Sequence, residues 1–131
     1  MTRPLTLAKK IAQFMLTKKA RDVVMMDVRG LTDIADFFVI GTADSDVQVK
    51  AIADAVMDGT EKIGSAAWHT EGVTERQWVL LDYVDVVAHV FHKDARKFYS
   101  LEKLWGDAKI TEIKDEEKPV KPARKTTKRK K

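Results

Sequence analysis

The chain has 131 residues, 34% of them charged, and no cysteine. That length fits one domain able to bury a sizeable core unaided, and the missing cysteines exclude a disulfide framework, thiolate catalysis and cysteine-ligated zinc. The net charge of +4 belongs to one end: residues 118–131 hold eight basic residues and no acidic one, leaving 16 basic against 20 acidic elsewhere, a body charge of −4.

At the start, Met1-Thr2-Arg3-Pro4 leads into a lysine-containing amphipathic segment and not an apolar targeting stretch. Leu7, Ile11, Phe14 and Met15 form one apolar stripe, which predicts a helix over residues 5–19 with Pro4 in its first turn. Val23, Val24, Met25, Met26 and Val28 predict a strand over 22–28, punctuated by Gly30, Thr32 and Asp33. The uninterrupted run over 37–42 suits a strand covered on both faces. Val49, Ile52, Ala53, Val56 and Met57 then predict a second helix, with Ser45 or Asp46 as its N-cap and Gly64 at its end. A weak strand over 66–71, a turn over 72–76, strong strands over 77–83 and 85–92 and a helix over 95–105 complete the order α-β-β-α-β-β-β-α. That order argues for an α/β fold, a mixed sheet of about five strands with packed helices. No run is long enough to span a bilayer, and a cytoplasmic protein is expected. The domain is expected to span 1–110. Residues 111–131, dense in charge and poor in apolar groups, are expected to be a disordered basic tail.

Chemistry is weakly signalled. His89 and His92 are three apart, and an odd offset on a strand points them to opposite faces, while His69 is isolated. Asp82 and Asp85 are the pair a Mg²⁺-dependent nucleotidyl transfer would use, but their spacing is three where a strand-borne metal pair commonly has two. Gly41-Thr42 with Ser45 resembles a phosphate-cradling loop, yet Asp44 and Asp46 place negative charge where the phosphate would sit. No cofactor, metal or catalytic residue is assigned. The tail suits loose, salt-sensitive contact with RNA phosphates.

The aromatic residues are more informative. Val79, Leu81 and Tyr83 share one strand face and Trp78, Leu80 and Asp82 the other. Trp78 and Tyr83 sit at the two ends of the strand, where side chains most easily leave a core. On the last helix, Phe98, Leu101, Leu104 and Trp105 form a core-facing stripe, with Tyr99 about 100° off it. Tryptophan and tyrosine at such positions are candidate docking anchors, because they bury much area with few rotatable bonds.

The segments Asp33-Ile34-Ala35-Asp36-Phe37-Phe38-Val39-Ile40, Val49-Lys50-Ala51-Ile52-Ala53-Asp54, Glu71-Gly72, Trp78-Val79-Leu80-Leu81-Asp82-Tyr83, Asp85-Val86-Val87-Ala88-His89-Val90-Phe91-His92 and Phe98-Tyr99-Ser100-Leu101-Glu102-Lys103-Leu104-Trp105 occur in that order. This series closely resembles the ribosomal silencing factor family, also called Iojap, over residues 5–108. The resemblance implies a nucleotidyltransferase-like core without catalytic apparatus. It implies a protein that binds the large ribosomal subunit through its fourteenth protein and blocks subunit joining, repressing translation under nutrient limitation. It places the docking surface on Trp78, Tyr83, Asp85, His89, Tyr99 and Leu101. The basic tail lies outside the shared region, and its charge alone suggests weak rRNA contact; an exposed aromatic patch that covers itself when its partner is absent suggests a homodimer of the free protein. Two positions depart from the family pattern: Val47 stands where arginine is frequent, and Val84 where glycine follows the tyrosine. Valine resists a positive φ, so the turn presenting Tyr83 and Asp85 is expected to differ.

Overall fold

A computed structural model describes residues 3–98, 106 and 108–113. The elements are α1 (Pro4–Leu16), β1 (Arg21–Asp27), β2 (Phe37–Ala43), α2 (Asp46–Lys62), β3 (His69–Glu71), β4 (Trp78–Asp82), β5 (Val86–His92), α3 (Lys93–Phe98) and β6 (Lys109–Glu112). The strands form one mixed sheet in the order β3-β4-β5-β2-β1-β6. Among the described strands only β2 and β5 run parallel; every other neighbouring pair is antiparallel.

The apolar patterns explain the layers. On one sheet face Val23, Met25, Phe37, Val39, Val79, Leu81, Val86, Ala88 and Val90 pack against the stripes Leu7, Ile11 and Met15 of α1 and Val49, Ile52 and Val56 of α2. The other face carries Val24, Met26, Phe38, Ile40, Val87 and Phe91, packed with Val28, Ala35 and Ala95. Because both faces are covered, the central parallel pair reads in sequence as unbroken apolar runs, and every residue of β2 is buried.

The helix ends obey local rules. Ser45 accepts the Gln48 N–H on its hydroxyl at 3.2 Å, capping α2. At the other end, Ser65 N–H reaches the Thr60 carbonyl and Gly64 N–H the Glu61 carbonyl, with Gly64 at φ +82°. This is the reciprocal C-terminal cap that glycine makes inexpensive. Arg96 anchors α3, donating to the Thr42 hydroxyl at 2.7 Å.

The described strands number six, one more than expected. β6 pairs antiparallel with β1 from Lys109 to Glu112, and Ile113 N–H donates to the Val23 carbonyl. Residues 111 and 112, expected in the tail, therefore belong to the sheet. Their exposure on an edge strand explains why no apolar alternation marks them. The remainder of the tail, and the helix expected beyond Phe98, lie outside the described residues.

Candidate protein-docking site

Two of the expected docking residues meet on the sheet face opposite α1 and α2. In the β4–β5 register Trp78 faces Phe91 and Leu80 faces His89, which brings Trp78 diagonally over His89. The indole stacks on Phe91 at 4.9 Å between centroids and donates its N–H to His89 Nδ1 at 3.0 Å. His89 in turn meets Phe38 edge-on at 5.2 Å. An indole nitrogen only donates, so His89 Nδ1 carries no proton and the neutral ring holds its proton on Nε2. That Nε2 is buried without a hydrogen-bond partner among the described residues, and burial lowers the His89 pKa to about 4. His89 is thus a neutral core residue that fixes Trp78, and it does not itself reach the surface. Trp78 is half-buried, with Leu80 beside it.

Tyr83 corrects an expectation. It follows the alternation of Val79 and Leu81 onto the helix-facing side, is 8% exposed, and packs in that core. Its hydroxyl lies 2.9 Å from that of buried Thr60, and burial raises its pKa despite that hydrogen bond. A strand-end position did not release the side chain, because Thr60 near the C-terminal end of α2 meets it in the core. Tyr83 and Trp78 therefore lie on opposite faces and form no common surface.

Between them and Asp85 is the turn. Val84 adopts φ +74°, Asp85 N–H donates to the Tyr83 carbonyl at 2.9 Å, and Tyr83 N–H donates to the Val86 carbonyl. The chain therefore makes the tight three-residue turn that glycine would favour, with valine in the left-handed region. Asp82 supports it by accepting the Val84 N–H at 2.7 Å. Asp85 is exposed at the tip, and its carbonyl receives Asp36 and Phe37 N–H. The Asp82 carboxylate is thus occupied in a turn, and no cluster of three metal-ligating side chains occurs among the described residues. Tyr99 and Leu101 lie outside those residues. No described helix is long and apolar enough to cross a membrane.

Sequence reasoning passed over Trp68 and Ile34, which are 74% and 72% exposed. With Val84 and Asp82 they line a hollow of about 290 Å³ at the turn end of the sheet. One signal was available: Trp68 stands in a segment with little apolar alternation, beside a strand of three exposed residues.

Residues 2–131 match the model of a family described as ribosomal silencing factor during starvation. The ribosomal silencing factor RsfS of Bacillus subtilis strain 168 is 46% identical over 96 residues, covering 73% of this chain and 81% of that protein. Its counterpart in Halalkalibacterium halodurans is 47% identical over 96 residues, covering 73% and 82%. The chloroplastic protein Iojap of Zea mays is 37% identical over 110 residues, covering 83% of this chain and 47% of its own length. Among solved structures, a crystal structure of a Chromobacterium violaceum protein superposes with a TM-score of 0.78 at 30% identity, covering 90% of this chain and 98% of that one. A Bacillus halodurans crystal structure gives 0.69 at 39% identity, covering 83% and 96%.

Proposed function

Since the chain belongs to the ribosomal silencing factor family, we propose that it binds the large ribosomal subunit through that subunit's fourteenth protein and sterically prevents the small subunit from joining. Translation would fall as a result when nutrients are scarce. The carrying observation is Trp78, a partly buried side chain whose indole is held in one orientation by Phe91 and His89 on a sheet face. A large, pre-oriented aromatic side chain is the kind of group that dominates interface energetics. The acidic body complements a basic ribosomal protein, which favours fast encounter and correct orientation. Asp85, exposed at the turn, and Tyr99 and Leu101, which lie outside the described residues, complete the proposed contact. Weak rRNA contact by the basic tail and self-association of the free protein belong to the same reading.

Sedimentation of ribosomal subunits with added protein tests it. Comigration with the large subunit and loss of joined ribosomes are expected. Comigration with the small subunit, or unaltered joining, would overturn the proposal. Trp78→Ala is expected to cost about 2 kcal/mol or more in binding. Trp78→Phe separates docking from folding, since a phenyl ring keeps the stack on Phe91. A loss of stability with unchanged affinity would make Trp78 a packing residue alone.

A further inference from the structure

The hollow at the turn end of the sheet is distinct from the Trp78 face. Trp68, Ile34 and Val84, the last 58% exposed, come from three separate segments. Backbone hydrogen bonds fix them relative to one another: Trp68 N–H donates to the Asp82 carbonyl and Asp36 N–H to the Asp85 carbonyl, both at 2.7 Å. Isolated exposed apolar side chains are ordinary, but three converging on one hollow mark a contact surface. Val84 holds its apolar side chain in water from a backbone conformation that costs a β-branched residue energy.

The charge around the hollow defines what fits it. Asp82 lines the hollow itself, and the segments 31–36, 66–72 and 82–85 that supply its lining also carry Asp33, Asp36, Glu71 and Asp85 and no lysine or arginine, with Glu71 paired to His69 at 2.9 Å and Arg29 acting on Asp36. The occupant must be cationic and bring compact apolar groups. The chain holds such a segment: Lys118-Pro119-Val120-Lys121-Pro122-Ala123-Arg124-Lys125. Prolines three apart favour the extended helix that aromatic-lined grooves bind. The intervening lysines would meet the acidic rim, and an exposed indole face attracts cations. The reach is sufficient. From β6, where Ile113 lies, to β4 the sheet is about 19 Å wide, and the hollow is at the far end of strands about 17 Å long, a diagonal of about 26 Å; the nine residues from Ile113 to Pro122 extend to about 30 Å.

We propose that the hollow of Ile34, Trp68 and Val84, with its acidic rim, is a docking site for this chain's own segment 118–125, bound within the same molecule. The attraction is electrostatic in part and weakens with salt. It stands independently of ribosome binding. In the free protein it would hold the basic segment against the acidic body until a polyanion competes for it.

Nuclear magnetic resonance on the full-length, ¹⁵N-labelled chain tests this. Trp68→Phe identifies the Trp68 indole N–H signal. A second full-length chain carries Lys118→Glu, Lys121→Glu, Arg124→Glu and Lys125→Glu. At low salt the Trp68 indole and the Ile34 and Val84 amide signals are expected to differ between the wild-type and charge-reversed chains. Raising salt from about 50 to 500 mM, which shortens electrostatic range severalfold, is expected to move the wild-type signals toward the charge-reversed positions. Identical, salt-insensitive signals in the two chains would overturn the proposal. Shifts that grow with protein concentration would place a second copy in the hollow and overturn binding within one molecule. Unchanged signals combined with loss of large-subunit comigration in Trp68→Ala would assign the hollow to an outside partner.

Discussion

Val84 concentrates a conflict between local preference and tertiary demand. A β-branched residue in the left-handed region costs on the order of 1–3 kcal/mol, yet the β4–β5 connection imposes φ +74°. Val84→Gly should therefore raise the unfolding free energy by about 1 kcal/mol, since relief of strain outweighs the added freedom of the unfolded chain. Chemical denaturation checks this; an unchanged or lowered midpoint would show that the valine is not strained. His89 makes the second prediction at this scale. Its folded pKa of about 4 lies below the ordinary imidazole value of 6.5. Above that unfolded value neither state binds the proton. As pH falls from 6.5 toward 4 the unfolded chain protonates first, so stability is lost across that window, by about 3 kcal/mol at the limit. His89→Gln should flatten that part of the stability curve, measured by denaturation at pH 7, 5.5 and 4.5.

Among the elements, α2 depends most visibly on a single side chain. The Ser45 hydroxyl satisfies the Gln48 N–H, and Ser45→Ala is expected to cost about 1 kcal/mol, read from the thermal midpoint. The strands differ in how firmly they are held. β2 and β5 are buried and paired on both sides, while β3 and β6 are exposed edge strands. Hydrogen exchange should find the β2 and β5 amides opening only with global unfolding and those of β3 and β6 opening locally. Equal protection of β3 and β5 would contradict this ordering. The same contrast explains what was readable element by element. β2 and both long helices announce themselves through apolar runs or stripes, whereas β6 is held by main-chain pairing to β1 and has no side-chain pattern to betray it.

For the whole molecule, the opposition of an acidic body and a basic end governs association. Replacing the eight basic residues of 118–131 with glutamine should leave large-subunit binding in place while lowering its affinity and salt dependence, because fewer counterions are released from RNA phosphates. Complete loss of binding would move the recognition from the Trp78 face to the tail. The tertiary arrangement also spreads the aromatic residues over different surfaces: Trp78 on one sheet face, Tyr83 within the core on the other, and Trp68 at the turn end.

The sequence by itself determined the α/β class, the order of the long elements, the glycine that ends α2 and, through the ordered motif series, the family; it narrowed the N-cap of α2 to Ser45 or Asp46. These follow from short-range periodicity and local hydrogen bonding, which a linear string records. It also determined the alternation that sets Trp78 apart from Tyr83. Only the tertiary structure decided how each is held: Tyr83 is buried against Thr60 of α2, while His89, legible as one of a pair of histidines, is buried as the acceptor that orients Trp78. Exposure of Trp68, the strain at Val84 and the pairing of β6 were likewise settled by contacts between distant segments. Burial depends on what the rest of the chain lays over a residue, and neither its type nor its spacing contains that information.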